Sequence, residues 1–77
     1  PHLFAGTIRD NILLARPDAT AAQLARAAEA AQVTAFAAAL PQGLDTPVGE
    51  GGFGLSGGQA QRVALARAFL RDAPLVI

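Results

Sequence analysis

Residues Gly51 to Gln59 read Gly-Gly-Phe-Gly-Leu-Ser-Gly-Gly-Gln, with five glycines in the eight positions from 51 to 58. The run opens directly into a helical pattern, so the chain must place a side-chain-poor loop against a helix N-terminus. Such a junction can bring backbone N–H groups close to an anion, with the positive end of the helix dipole behind them. Helical signals dominate the remainder, so the expected fold is mainly α: three to four helices, a glycine-rich loop and the start of one strand.

The helices announce themselves by their starts. Thr7-Ile8-Arg9-Asp10 has the Ser/Thr-x-x-acid form of a capping box, and its pattern runs to about Ala15 before Pro17 stops it. Thr20-Ala21-Ala22-Gln23 is a second box, opening an Ala-rich helix to about Ala31 on which Leu24, Ala28 and Ala31 recur at helical spacing. Arg26 and Glu29, three apart, can pair on its outer side. A short third helix is expected from Thr34 to before Pro41, then an irregular stretch from Leu44 to Leu55. Ser56-Gly57-Gly58-Gln59 is the third box and starts the last helix, about Gly57 to Arg71.

At 100° per residue, Val63, Leu65, Ala66, Phe69 and Leu70 share one broad arc of that helix, with Arg67 and Arg71 opposite. Arg62 falls inside the arc, which predicts an anionic or carbonyl partner for it. Phe4, Phe36, Phe53 and Phe69 are expected in the core, because no basic residues interleave with them as in a base-stacking platform. Three large aliphatics in Pro74-Leu75-Val76-Ile77 have the character of a buried parallel strand. A chain of 77 residues that opens on Pro1 and stops inside that strand is expected to be a piece of a larger domain.

Composition narrows the chemistry. Net charge is zero, which points to no nucleic-acid partner. All six basic residues are Arg, no cysteine is present and His2 is the only histidine, so no metal cluster is expected. The glycine run is neither a Walker A loop, for want of Gly-Lys-Ser/Thr, nor a dinucleotide fingerprint, for want of a preceding strand. One reading of it is a turn with Ser56 as an ordinary N-cap. Gly57 and Gly58 argue for the other, an anion site, because each costs roughly 0.5–1 kcal/mol relative to Ala in a helix.

Leu55-Ser56-Gly57-Gly58-Gln59, followed by Gln61-Arg62-Val63-Ala64-Leu65-Ala66-Arg67-Ala68, closely resembles the signature motif and signature helix of ATP-binding cassette (ABC) ATPases. Phe4 to Ile12 looks like the segment after the Q-loop of exporter-type cassettes, and Thr46-Pro47-Val48-Gly49-Glu50 like the exporter X-loop. Pro74 to Ile77 resembles the start of the Walker B strand. The resemblance spans the chain and divides it into a helical subdomain with X-loop (1–54), the signature motif and helix (55–71) and the strand start (74–77). It implies the helical subdomain of a P-loop α/β ATPase, part of an exporter at the cytoplasmic face of the inner membrane. Within exporters, residues 54 to 70 look most like the CydD-type thiol-exporting subunit of cytochrome bd assembly.

By the same resemblance, Ser56, Gly57, Gly58 and Gln59 would close over ATP and its Mg held on a second cassette. Thr46, Val48, Gly49 and Glu50 would meet the coupling helices of the transmembrane domain, near which Phe4 and Phe53 would lie as the alternative to a core position. Walker A, the Q-loop Gln, the Walker B Asp, the catalytic Glu and the switch His are absent from the 77 residues. No catalytic group is therefore assigned, and the piece alone is expected to be inactive. Soluble cassettes of DNA repair share the signature without the X-loop, and a non-enzymatic helical module would use the glycine loop only as a cap.

Overall fold

In a computed structural model, which describes residues 3–52 and 54–72, the last helix is the hub. The order is β1 (Gly6–Thr7), α1 (Ile8–Leu13), α2 (Ala21–Ala30), α3 (Val33–Ala37), a 3₁₀ turn (Gly43–Asp45), β2 (Pro47–Val48) and α4 (Gly57–Arg71). Helix α4 packs against α1, α2 and α3. Ile8, Ile12, Leu24, Ala28, Val33, Val48, Val63, Ala66 and Leu70 form one buried cluster between them.

All three expected boxes close in both directions. Thr7 Oγ1 accepts from Asp10 N at 2.9 Å and Asp10 Oδ2 from Thr7 N at 3.0 Å. Thr20 and Gln23 repeat the exchange at 3.1 and 2.9 Å, as do Ser56 and Gln59 at 3.1 and 2.9 Å. Each box satisfies two N–H groups that a helix start otherwise leaves unpaired. Helix α3 lacks one: its N-cap Gln32 stands at φ +65° and makes no side-chain cap. That left-handed residue reverses the chain between α2 and α3, and α3 begins one residue before the expected Thr34.

The stretch expected to be irregular contains the 3₁₀ turn and β2. β2 pairs antiparallel with β1, Gly6 opposite Val48 and Thr7 opposite Pro47. Ile8 N donates to Thr46 O at 3.1 Å and continues the ladder into α1. This ribbon joins the N-terminal loop to the segment before the glycine run. Residues 74–77, where a strand start was expected, and Phe53 lie outside the described residues.

Two expectations about α4 are corrected. The face it buries is Ala60, Val63, Ala66 and Leu70, whereas Leu65 and Phe69 are 46% and 41% exposed. The arc drawn from hydrophobicity was rotated: Ala60 joins Val63, Ala66 and Leu70 at the packed interior, and Leu65 and Phe69 lie outside it. Arg62 is accordingly exposed and solvated, while Arg67, assigned to the outer face, is half-buried. Phe4 is also exposed rather than core. Arg26 and Glu29 stay unpaired; among the described residues the ion pairs are Arg9–Asp45 and Arg71–Asp72. No helix among them is long and apolar enough to cross a membrane.

Candidate functional site

Among the glycines from 49 to 58, two kinds can be told apart. Gly49 and Gly51 both stand at φ +81°, a backbone that an L side chain rarely adopts. Gly49 and Gly52 have no room for a side chain: a β-carbon would come within 2.6 Å of Phe4 O and 2.8 Å of Pro47 O respectively. These residues are glycine because the fold requires it.

Gly57 and Gly58 are different. Both are helical, a β-carbon on Gly57 would meet nothing within 4 Å, and one on Gly58 would only touch Ser56 Oγ at 4.0 Å. Alanine would fit either position and favour the helix. Among the described residues no steric contact calls for glycine at either position.

The hydrogen bonds of this turn agree. Ser56 N and Gln59 N are taken up by the capping box, and Ala60 N bonds Ser56 O at 2.9 Å. The N–H groups of Gly57 and Gly58 donate to no acceptor among the described residues. Ser56, Gly57 and Gly58 are exposed and Gln59 half-buried. Ser56 Oγ accepts from Gln59 N, which leaves its own O–H to donate outward. Three donors thus converge at the positive end of a 15-residue helix, an arrangement that suits an anionic oxygen cluster such as a phosphate.

Of the residues expected at the coupling surface, Thr46 and Val48 turn inward. Thr46 Oγ1 donates to Gly43 O at 2.7 Å and Val48 is 1% exposed in the core. Gly49 is half-buried against the Phe4–Ala5 peptide. Only Glu50 of the four presents a side chain outward. Thr46, Val48 and Gly49 hold the loop from which Glu50 projects.

Sequence reasoning missed Asn11. Its side chain is 1% exposed and every hydrogen-bonding position on it is used. Nδ2 donates to Phe4 O at 3.0 Å and Thr7 O at 2.9 Å, and Oδ1 accepts from Phe4 N at 2.8 Å and Arg67 Nη2 at 2.9 Å. Arg67 Nε also donates to the Asn11 backbone oxygen at 2.8 Å, and its guanidinium lies 5.8 Å from the Phe4 ring centroid. Burial lowers the Arg67 pKa from its ordinary value, yet an arginine in this setting keeps its charge. The available hint was that Asn11 shares a helical face with Ile8 and Ile12, where an amide has to be satisfied internally.

A profile of the ABC transporter family matches residues 1–77. The chain is 54% identical over 77 residues to the glutathione/L-cysteine transport system ATP-binding/permease protein CydD of Escherichia coli (strain K12), covering all of this chain and 13% of that protein. It is 52% identical to ABC transporter B family member 19 of Arabidopsis thaliana, across all of this chain and 6% of the relative. It is 51% identical to the mycobactin import ATP-binding/permease protein IrtB of Mycobacterium tuberculosis (strain H37Rv), with all of this chain and 13% of that one covered. A solved bacterial Atm1-family ABC exporter with ATP bound superposes with a TM-score of 0.84 at 48% identity, over 92% of this chain and 12% of that one. The chain therefore spans 6–13% of the length of these curated relatives. Its fold is that of the helical part of an ABC exporter ATPase. With its full length matched by the profile and by relatives at 51–54% identity, the chain belongs to the ABC transporter family.

Proposed function

We propose that the chain serves as the helical subdomain of the ATPase of an ABC exporter, where Ser56, Gly57, Gly58 and Gln59 complete the ATP site of a second cassette. The observation that carries this reading is the pair of glycines at 57 and 58, whose N–H groups donate to no acceptor among the described residues and at which an added β-carbon would meet open space. A helix start built only for stability has no reason to keep two glycines there. A phosphate approaching within hydrogen-bonding distance of the backbone is such a reason. The non-enzymatic helical module leaves both glycines unexplained.

In this mechanism the chain positions and does not react. Ser56 Oγ–H and the Gly57 and Gly58 N–H groups donate to γ-phosphate oxygens, and Gln59 holds the Ser56 backbone while facing the nucleotide. When bound, ATP with its Mg supplies the phosphoanhydride whose hydrolysis drives transport. The 77 residues contribute neither a P-loop lysine to the phosphates nor a base to the attacking water. Glu50 contacts the coupling helices of a permease at the cytoplasmic face of the membrane, on the loop that Thr46, Val48 and Gly49 fix.

Thiol export of the CydD kind is the substrate reading that residues 54 to 70 favour. The relatives do not share one transport direction in their names, however: a multidrug export protein of Bacillus subtilis and a mycobactin import protein stand at 49% and 51% identity. Substrate and direction are thus set mainly outside this subdomain.

Replacing Ser56 by Asp in the full-length protein tests the reading. Aspartate caps a helix about as well as serine, so the thermal midpoint should stay within about 2 °C. A carboxylate facing the phosphates should lower ATP turnover by about 10²-fold or more, while ATP still binds the facing half of the site. Turnover close to wild type would overturn the proposal.

A further inference from the structure

Gly49, Phe4, Asn11 and Arg67 form an unbroken series of contacts from the loop that carries Glu50 to the middle of α4. Gly49 lies against the Phe4–Ala5 peptide so closely that a β-carbon would stand 2.6 Å from Phe4 O. The same Phe4 carbonyl accepts from Asn11 Nδ2, and the Phe4 N–H donates to Asn11 Oδ1. Asn11 in turn takes two hydrogen bonds from Arg67, one on its side chain and one on its backbone. Residues 11 and 67 are 56 positions apart, and this polar junction sits beside the apolar contacts of Ile8, Ile12, Val63 and Ala66.

Burial of apolar surface is non-directional, and packed helices can slide past one another by small shear motions. A bidentate guanidinium on a fully satisfied amide is not indifferent to such a shift, since both bonds are lost together when the register changes. We infer that Arg67 and Asn11 are positioning residues: a strut that makes the β1–β2 ribbon, with the Glu50 loop on it, and α4, with Ser56 at its tip, turn as one body. The functional half of this inference rests on the reading that the Glu50 loop meets the permease and Ser56 meets ATP. The mechanical half does not.

The strut needs the arginine fork rather than its charge. Arg67→Lys keeps a cation and a long stem but cannot reach the Asn11 carbonyl and Oδ1 in the same planar geometry. Spin labels on Pro47 and Gln61, both exposed, report the distance between ribbon and α4 in the full-length transporter without nucleotide. The unsubstituted background should give one narrow distribution, and Arg67→Lys and Arg67→Met should widen it about twofold. The kcat for ATP of the full-length transporter in liposomes should fall about threefold or more in both, with the KM for ATP unchanged within about twofold.

Distance distributions that match the background in both substituted proteins would overturn the inference. If neither variant accumulates, hydrogen exchange on the unaltered full-length protein decides. The Phe4 amide, outside any helix but bonded to Asn11, should be protected to within about tenfold of the α4 amides around Arg67, and exchange faster than this by about 10³-fold or more would overturn the strut. Neither the distances nor the exchange rates depend on the ATP reading. A failed Ser56→Asp experiment and a failed strut are therefore distinguishable.

Discussion

The carbonyl oxygen of Phe4 lies 2.6 Å from the point where a β-carbon on Gly49 would stand, so a loop remote in sequence dictates the identity of residue 49. Gly49 also stands at φ +81°. Gly49→Ala should therefore destabilise the folded protein by about 2 kcal/mol or more, adding left-handed strain to a backbone collision. A thermal or denaturant unfolding curve on the full-length protein checks this, with a loss under about 0.5 kcal/mol counting against it.

Gly58→Ala should do the reverse for stability. Its backbone is helical and its nearest neighbour would be Ser56 Oγ at 4.0 Å, so the gain should be about 0.5–1 kcal/mol. On the proposed role of Gly58, turnover should nevertheless drop at least about tenfold, because a methyl group would then stand where the phosphate is proposed to approach. Unfolding and steady-state ATPase measured on one preparation would separate the two effects.

Gln32 stands at φ +65° without a side-chain cap and is exposed. Gln32→Gly removes a steric cost of about 1–2 kcal/mol and adds some chain entropy to the unfolded state. A net gain of about 0.5–1 kcal/mol is expected from those two opposing effects. Activity should not change, since Gln32 lies between α2 and α3 and makes no contact with the α4 tip.

Phe4, Leu14, Leu65 and Phe69 are exposed to between 41% and 54%. On its own the 77-residue chain should self-associate through these surfaces, and sedimentation should show mass rising with concentration. The paired changes Leu65→Gln and Phe69→Gln should reduce that association without lowering the unfolding midpoint, because neither side chain belongs to the buried cluster. A monodisperse, cooperatively unfolding monomer before any substitution would contradict this expectation.

What was legible in the sequence was what is local. Thr7 and Asp10, Thr20 and Gln23, and Ser56 and Gln59 settle their helix starts within four residues, and each pair closes as its spacing predicts. Leu24, Ala28 and Ala31 likewise show the inner face of α2 by their repeat alone. The signature run was legible too, which is why the family could be recognised before any fold was known.

Illegible was whatever depends on a partner far along the chain. Hydrophobicity could not orient α4, because Leu65 and Phe69 share a broad apolar arc with Val63, Ala66 and Leu70, yet Leu65 and Phe69 stay outside while Ala60, Val63, Ala66 and Leu70 turn inward. Arg67 was placed outside because its acceptors belong to residue 11. The β1–β2 ribbon escaped notice since two-residue strands carry no periodicity. Gly49 and Gly57 look alike as letters, and only backbone conformation and the space around each separate them.

The Ser56–Gln59 exchange has a thermodynamic consequence for whatever anion arrives at α4. Because the box already fixes the first turn, no backbone has to be ordered at the moment of contact. The affinity is then not diminished by a local disorder-to-order step, and the turn keeps one shape whether occupied or empty. An anion arriving there finds no helix end left to form, so a signal passed through α4 would travel as movement of the helix body.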